Sequence, residues 1–272
     1  MSPKPLGSLM SDVEKVASVP VFIYSPDGLC EQRVQWVIEE TPVTLYINGK
    51  ELVTLLCAGH HLDELAVGFA YAEGFLDNLE ELHELRIDHE QGRIFLEVQG
   101  KDHLAFDLWN KRTISSGCGK GTVFYHALDA LLARPMAQGP IFSARTVWER
   151  MEDLHGLSQT YKRTHGVHNC ALADAEGIVV FRDDIGRHNA VDMLVGHSLL
   201  NELPLTDKML VTTGRLTSEI VIKAAKVGLP CLVSRNTATT LAIRLAQDVN
   251  MTLIGYARAG KFTVYTGKQR LA

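Results

Sequence analysis

The chain has 272 residues, 46% hydrophobic and 22% charged, enough for one large domain or two ordinary ones, each with its own core. Its formal net charge of −5 excludes a general nucleic-acid footprint, and no apolar run approaches the roughly 18 residues of a membrane span. Residues 1–16 mix Pro, Lys, Asp and Glu and lack the apolar stretch of a signal peptide, so a cytoplasmic protein is expected. The five scattered cysteines disfavour a disulfide framework.

The first twenty residues read as a loose arm. Residues 19–24, 33–39 and 43–47 are β-rich, Asn48-Gly49 is a hairpin turn, and 52–57 returns as the partner strand. An amphipathic helix is expected over 62–76, where Leu62, Leu65, Phe69 and Leu76 share a face and Asp63 and Glu64 suit the N-terminal end. Strands at 93–98 and 104–108 and a helix over 122–132 complete a smaller α+β N-terminal domain, residues 1–138. Pro135, Gly139 and Pro140 punctuate the boundary. Over 139–272, strands at 168–174, 178–182, 209–213, 231–234, 252–256 and 262–265 alternate with helices at 144–155, 189–201, 218–227 and 239–248. That alternation predicts a three-layer α/β domain around a mainly parallel sheet.

The segment from Thr113 to Thr122 sets one cysteine among three glycines, Gly117, Gly119 and Gly121. Such a loop leaves the thiol of Cys118 poorly shielded, and Lys120 with a helix start near Thr122 favours the thiolate. A thiolate attacks a donor persulfide, holds the sulfur and passes it on. The alternative is a small cysteine in a turn. Cys57, Cys170 and Cys231 lie on strands and read as core, while Cys30 has no assigned role.

Three strand-to-helix junctions carry polar chemistry at the place where open sheets bind ligands. They run over Asp183–Asn189, Thr212–Glu219 and Ser234–Thr239, and each joins an arginine (Arg187, Arg215, Arg235) to hydroxyl or amide groups at a helix start. Together they form a candidate anion pocket; singly, each reads as helix capping by Thr217, Ser218 or Thr237. His165, His168, His188 and Cys170 invite a metal reading. A zinc deaminase needs H-x-E and P-C-x-x-C, and Pro230-Cys231 is followed by Leu232-Val233-Ser234, so no metal is expected.

The stretch Asp184-Ile185-Gly186-Arg187-His188-Asn189-Ala190-Val191-Asp192 resembles the most characteristic motif of the FdhD family of formate dehydrogenase accessory proteins. The runs Gly214–Val221, Gly228-Leu229-Pro230, Leu232–Arg235, Leu253–Arg258 and Glu64–Phe69 are similar to that family in the same order. The resemblance implies a homodimeric sulfurtransferase that carries sulfur from a cysteine desulfurase to molybdenum bis(molybdopterin guanine dinucleotide), for formate dehydrogenase. It also implies guanine-nucleotide binding and a cytidine-deaminase-like second domain. By position Cys118 becomes the persulfide carrier, with Lys120 its thiolate stabiliser. Tyr256, Ala257, Arg258, Ala259, Gly260 and Lys261 become the cofactor-binding segment, joined by Arg187, His188, Gly214, Arg215, Ser234 and Arg235.

In one respect the sequence departs from the pattern. Many members carry C-x-x-C in the loop, whereas Cys118 is followed three residues later by Gly121. A single-cysteine relay needs only one attacking thiolate and one acceptor. A non-catalytic molybdenum-cofactor chaperone is the alternative reading.

Overall fold

The computed structural model describes residues 15–99, 136–137 and 139–272, together with the backbone of 113–115 and 118–120. Strands β1 (Val16–Tyr24) and β2 (Cys30–Ile38) extend the expected segments and form an antiparallel two-stranded sheet of their own. The ribbon is tied down near its base, where the Arg163 guanidinium lies 4.4 Å from the centre of the Trp36 ring.

The hairpin of β3 (Thr41–Ile47) and β4 (Lys50–Cys57) closes through Asn48 and Gly49, both at positive φ (49° and 73°), as a right-handed strand twist requires. Helix α1 (Leu62–Glu73) stops short of the expected 76. Gly74 takes φ 81°, and its N–H turns back to the carbonyls of Ala70 and Tyr71. A strand absent from the sequence reading, β5 (Leu82–Asp88), pairs with β6 (Arg93–Val98), giving a four-stranded sheet in the order β4-β3-β6-β5. The strand expected at 104–108 and the helix at 122–132 lie outside the described residues. Two short strands, β7 (Thr113–Ser115) and β8 (Cys118–Lys120), pair antiparallel with Ser115 opposite Cys118.

The remainder runs α2 (Ala144–Leu157), α3 (Gln159–Thr164), β9 (His168–Ala173), β10 (Ile178–Asp184), α4 (Arg187–Leu200), β11 (Met209–Thr212), α5 (Ser218–Lys226), β12 (Cys231–Ser234), α6 (Thr240–Asp248), β13 (Thr252–Arg258) and β14 (Lys261–Thr266). Six strands form one sheet in the order β10-β9-β11-β12-β13-β14. The expectation of a mainly parallel sheet is corrected: β11, β12 and β13 are parallel, but β9–β10, β9–β11 and β13–β14 are antiparallel. Tight turns join β9 to β10 and β13 to β14, and a chain that reverses in a few residues pairs antiparallel. Only strands separated by a helix acquire the parallel sense.

Alternate residues of the central strands feed two cores. Leu172, Leu210, Leu232 and Leu253 pack with Val191, Leu194, Val221 and Leu245 of α4, α5 and α6. Ala171, Val211, Val233 and Ile254 face Val147, Met151 and Leu154 of α2. The strands therefore sit between two helical layers. A third core joins α1 to the four-stranded sheet and takes in Met193 of α4.

Helices α1 and α4 cross backbone to backbone. A Cβ on Gly68 would lie 1.8 Å from the Asp192 carbonyl oxygen, and one on Gly196 would lie 1.9 Å from that of Glu64. Beside the crossing, the buried Glu64 carboxylate accepts from Arg182 Nε and Nη2, each at 2.5 Å, and meets His197 Nδ1 at 2.7 Å. This charged knot and the glycine crossing fix α1, and with it the four-stranded sheet, against β10 and α4.

Candidate functional site

The parallel strands β11, β12 and β13 end at one edge of the sheet, where β9 begins and β10 ends. The expected junctions meet there through backbone bonds. Gly214 N–H donates to Thr212 Oγ1 (3.0 Å), Arg235 N–H to the Thr212 carbonyl (3.0 Å), Ser234 Oγ to the Gly214 carbonyl (2.6 Å), and Tyr256 N–H to the Asn236 carbonyl (2.9 Å). From the β9 side, Asn169 N–H donates to Thr213 Oγ1 and Thr213 N–H to the Asn169 carbonyl, both at 3.0 Å. Arg187 crosses over Gly214, where a Cβ would stand 3.0 Å from the Arg187 Cβ. Glycine at 214 is what lets the first and second junctions touch.

Within the motif 184–192 the roles divide. Asp184 is fully buried and accepts from Ala58 N–H (2.7 Å), Gly186 N–H (2.8 Å) and Asn189 Nδ2 (2.8 Å). Burial pushes its carboxyl up, and those donors pull against the shift. Asn189 also reaches the Leu56 carbonyl at 2.8 Å, stitching the end of β4 to α4. Asp192, buried as well, receives Lys223 Nζ at 2.5 and 2.6 Å. His188 is 6% exposed, and its Nε2 lies 3.0 Å from Glu219 Oε2. Residues 188 and 192 on α4 thus face 219 and 223 on α5, each pair one helical turn apart. Among the motif's charged side chains, Arg187 is the one at the rim.

The rim is cationic. His168 sits opposite Asp184 in the β9–β10 register, half-buried. Burial holds its imidazole below the ordinary histidine value, and the charges of Arg187, His188 and Arg215 push the same way. Arg215 and Arg235 are exposed, and Arg235 Nη1 lies 3.0 Å from His155 Nδ1. The N-terminal ends of α4 and α5 face this edge with no side-chain cap bond, unlike α2, α3 and α6, capped by Ser143, Ser158 and Thr239. Neither Thr217 nor Thr237 caps a helix with its side chain, and the capping residue of the third junction is Thr239. Thr217 Oγ1, Arg187 Nε and both amide atoms of the 1% exposed Asn169 are buried without hydrogen-bond partners. Uncapped amides, orphan donors and clustered arginines fit an oxyanion ligand.

The segment 256–261 spans the end of β13, the turn at 259–260 and the first residue of β14, beside the rim. Tyr256 (φ 51°) and Ala259 (φ 52°) are left-handed, a strained state for residues with side chains. The Tyr256 ring is 41% exposed, with the Arg258 guanidinium 5.5 Å from its centre. Arg258, Ala259, Gly260 and Lys261 are exposed, whereas the Ala257 side chain is buried in the α2-side core. Ser234 is fully buried and shapes the loop from beneath. Cys118 opens β8 and Lys120 closes it; both side chains lie outside the described residues. The core reading of Cys57, Cys170 and Cys231 holds: all three are buried, and burial pushes their thiols up to about 11, about 12 and about 12. Cys30 is exposed on β2.

The sequence reading did not anticipate the buried pairings of Asp192 with Lys223 and His188 with Glu219, nor the cationic surroundings of His168. The i, i+4 spacing on both helices was their one local signal. Among the described residues no group of three or more His, Cys, Asp or Glu is placed to hold a metal, and no helix is long and apolar enough to cross a membrane.

Sulfur carrier protein FdhD of Bacillus pumilus is 39% identical over 245 residues, covering 90% of this chain and 94% of the relative. The protein of the same name from Bacillus subtilis is 39% identical over 235 residues, covering 86% and 90%. A crystal structure from Desulfotalea psychrophila, described as a formate dehydrogenase accessory protein, superposes with a TM-score of 0.77 at 25% identity, covering 95% of this chain and 100% of that one. The FdhD/NarQ family model matches residues 38–272, which take in the four-stranded and six-stranded sheets and the whole rim. The chain belongs to the FdhD/NarQ family.

Proposed function

We propose that this protein is a sulfur carrier that serves formate dehydrogenase, holding sulfur as a persulfide on Cys118. The observation that carries the reading is the match, over nine-tenths of the chain, to proteins named as sulfur carriers. In the chemistry we envisage, the Cys118 thiolate attacks the terminal sulfur of a persulfide presented by a cysteine desulfurase. The donor's S–S bond breaks, the donor leaves as a thiolate, and a new S–S bond forms at Cys118. Lys120, two residues on, stabilises the attacking thiolate.

The acceptor in this reading is molybdenum bis(molybdopterin guanine dinucleotide), gripped by the cationic rim and the segment 256–261. Clustered arginines and uncapped helix ends support a diphosphate there, and the Tyr256 ring with Arg258 above it supports a stacked base. A guanine nucleotide is a partial mimic of that ligand. The same reading takes the chain as a homodimer and its second unit as cytidine-deaminase-like. An antiparallel pair at one edge followed by three parallel strands supports the latter.

A second reading is a non-catalytic cofactor chaperone. Gly121 favours it, because no thiol stands there to resolve a loop disulfide. The test is incubation with a cysteine desulfurase and cysteine, then mapping of persulfides by mass spectrometry without reductant. One added sulfur on Cys118, lost in Cys118→Ala, is expected. An unmodified Cys118, with the desulfurase active on a control acceptor, selects the chaperone.

A further inference from the structure

We propose that His168, Arg187 and Arg215 form a subsite for a phosphate-class anion, in which His168 takes up one proton from solvent as the anion binds. The inference rests on the reading of this rim as an anion site and is independent of sulfur chemistry at Cys118.

The geometry begins with the strand register. His168 opens β9 opposite the last residue of β10, and its neighbour Asn169 is bonded both ways to Thr213. That bonding sets His168 beside the loop carrying Gly214 and Arg215. Arg187 enters from α4, packed on Gly214, with its Nε buried and unpartnered. Burial first, and then the guanidinium charges of Arg187 and Arg215, disfavour a charge on the imidazole. Three carboxylates lie nearby: Asp183, opposite Asn169, accepts from Ser158 Oγ and lies 3.4 Å from His60 Nε2. Asp184, opposite His168, is held by Ala58, Gly186 and Asn189, and Glu219 of α5 stands at His188.

A half-buried imidazole among cations stays neutral near pH 7, since a further positive charge there meets both desolvation and repulsion. An oxyanion between Arg187 and Arg215 reverses both penalties. It neutralises the cations and offers an acceptor to the protonated ring. Anion binding and protonation of His168 are then linked, and each strengthens the other by the same factor. A phosphate arriving at the rim gains a third donor only when the proton arrives with it.

The test uses NMR of the histidine ring protons of the full chain, with His168→Gln assigning the resonance. The probe is sulfate, which does not titrate between pH 6 and 8; guanosine diphosphate and guanosine follow. Sulfate is expected to move the His168 titration to higher pH and to bind about tenfold tighter at pH 6 than at pH 8. That pH dependence should flatten in His168→Gln. Arg215→Gln should weaken sulfate and, without any anion, raise the His168 titration, which a merely structural arginine would not do. Guanosine diphosphate should act as sulfate does, and guanosine should leave His168 unmoved.

An unshifted His168 at saturating sulfate overturns the proposal, as does an Arg215→Gln variant indistinguishable from the parent. Binding of guanosine diphosphate with a static His168 overturns it while leaving the nucleotide reading of the rim intact. A sulfate response without nucleotide binding upholds the subsite and removes the dinucleotide from it.

Discussion

Replacing Glu64 with glutamine cuts the charged knot between α1, β10 and α4 without changing side-chain volume. Burial alone would raise the Glu64 carboxyl. The bonds from Arg182 and His197 outweigh it and hold the group near about 2, against an ordinary 4.5. That drop, at about 1.36 kcal/mol for each factor of ten in acidity, corresponds to about 3 kcal/mol of folded-state stabilisation of the ionised form. The same figure follows from the loss of about 3–5 kcal/mol seen when one partner of a buried pair is removed. Because the folded pKa is depressed, this stability is fully present above the unfolded carboxyl's value. It is lost as pH falls from about 5 toward about 2. Urea denaturation followed by tryptophan fluorescence should show Glu64→Gln less stable by about 3 kcal/mol at pH 7, with the gap narrowing steadily below pH 5. A loss under about 1 kcal/mol at pH 7, or an equal loss at pH 3.5, would refute the claim that ionised Glu64 fastens α1 to β10 and α4.

Two further outcomes are expected. Gly68→Ala drives a methyl into the Asp192 carbonyl across the α1–α4 crossing and should cost at least about 1–3 kcal/mol in thermal or urea unfolding; a change within about 0.5 kcal/mol would show that the helices part freely. Native-state alkylation at pH 8, read by peptide mass spectrometry, should label Cys30 quickly and spare Cys57, Cys170 and Cys231. With Cys57 at about 11, only about a thousandth of it is thiolate, and the side chain is inaccessible besides. Rapid labelling of Cys170 would contradict its place in the core.

Local chemistry carried much of the fold. Asn48-Gly49 announced its hairpin because few other pairs tolerate two successive positive φ values. The helical period marked α1, yet the apolar pattern ran on to Leu76 while Gly74 had already ended the helix. Strand β5 escaped notice because Leu82–Asp88 interleaves charge with short apolar steps, and its partner β6 supplies the order it lacks alone. Short α3 was missed too, although Ser158 caps it by accepting from Tyr161 N–H.

By itself, the sequence determined the kinds of element, the polar junctions of the second unit and the motifs that marked the family, since each depends on residues within a turn or two of one another. Tertiary structure alone decided which strands run parallel, which motif residues turn inward and which face solvent. His188 and Arg187 are adjacent in the chain, but one is sealed against Glu219 and the other crosses Gly214 at the rim. Asp192 looks like one more surface acid until Lys223 meets it in the core. Those outcomes rest on contacts between residues distant in the chain, whose energies exist only once the layers have packed.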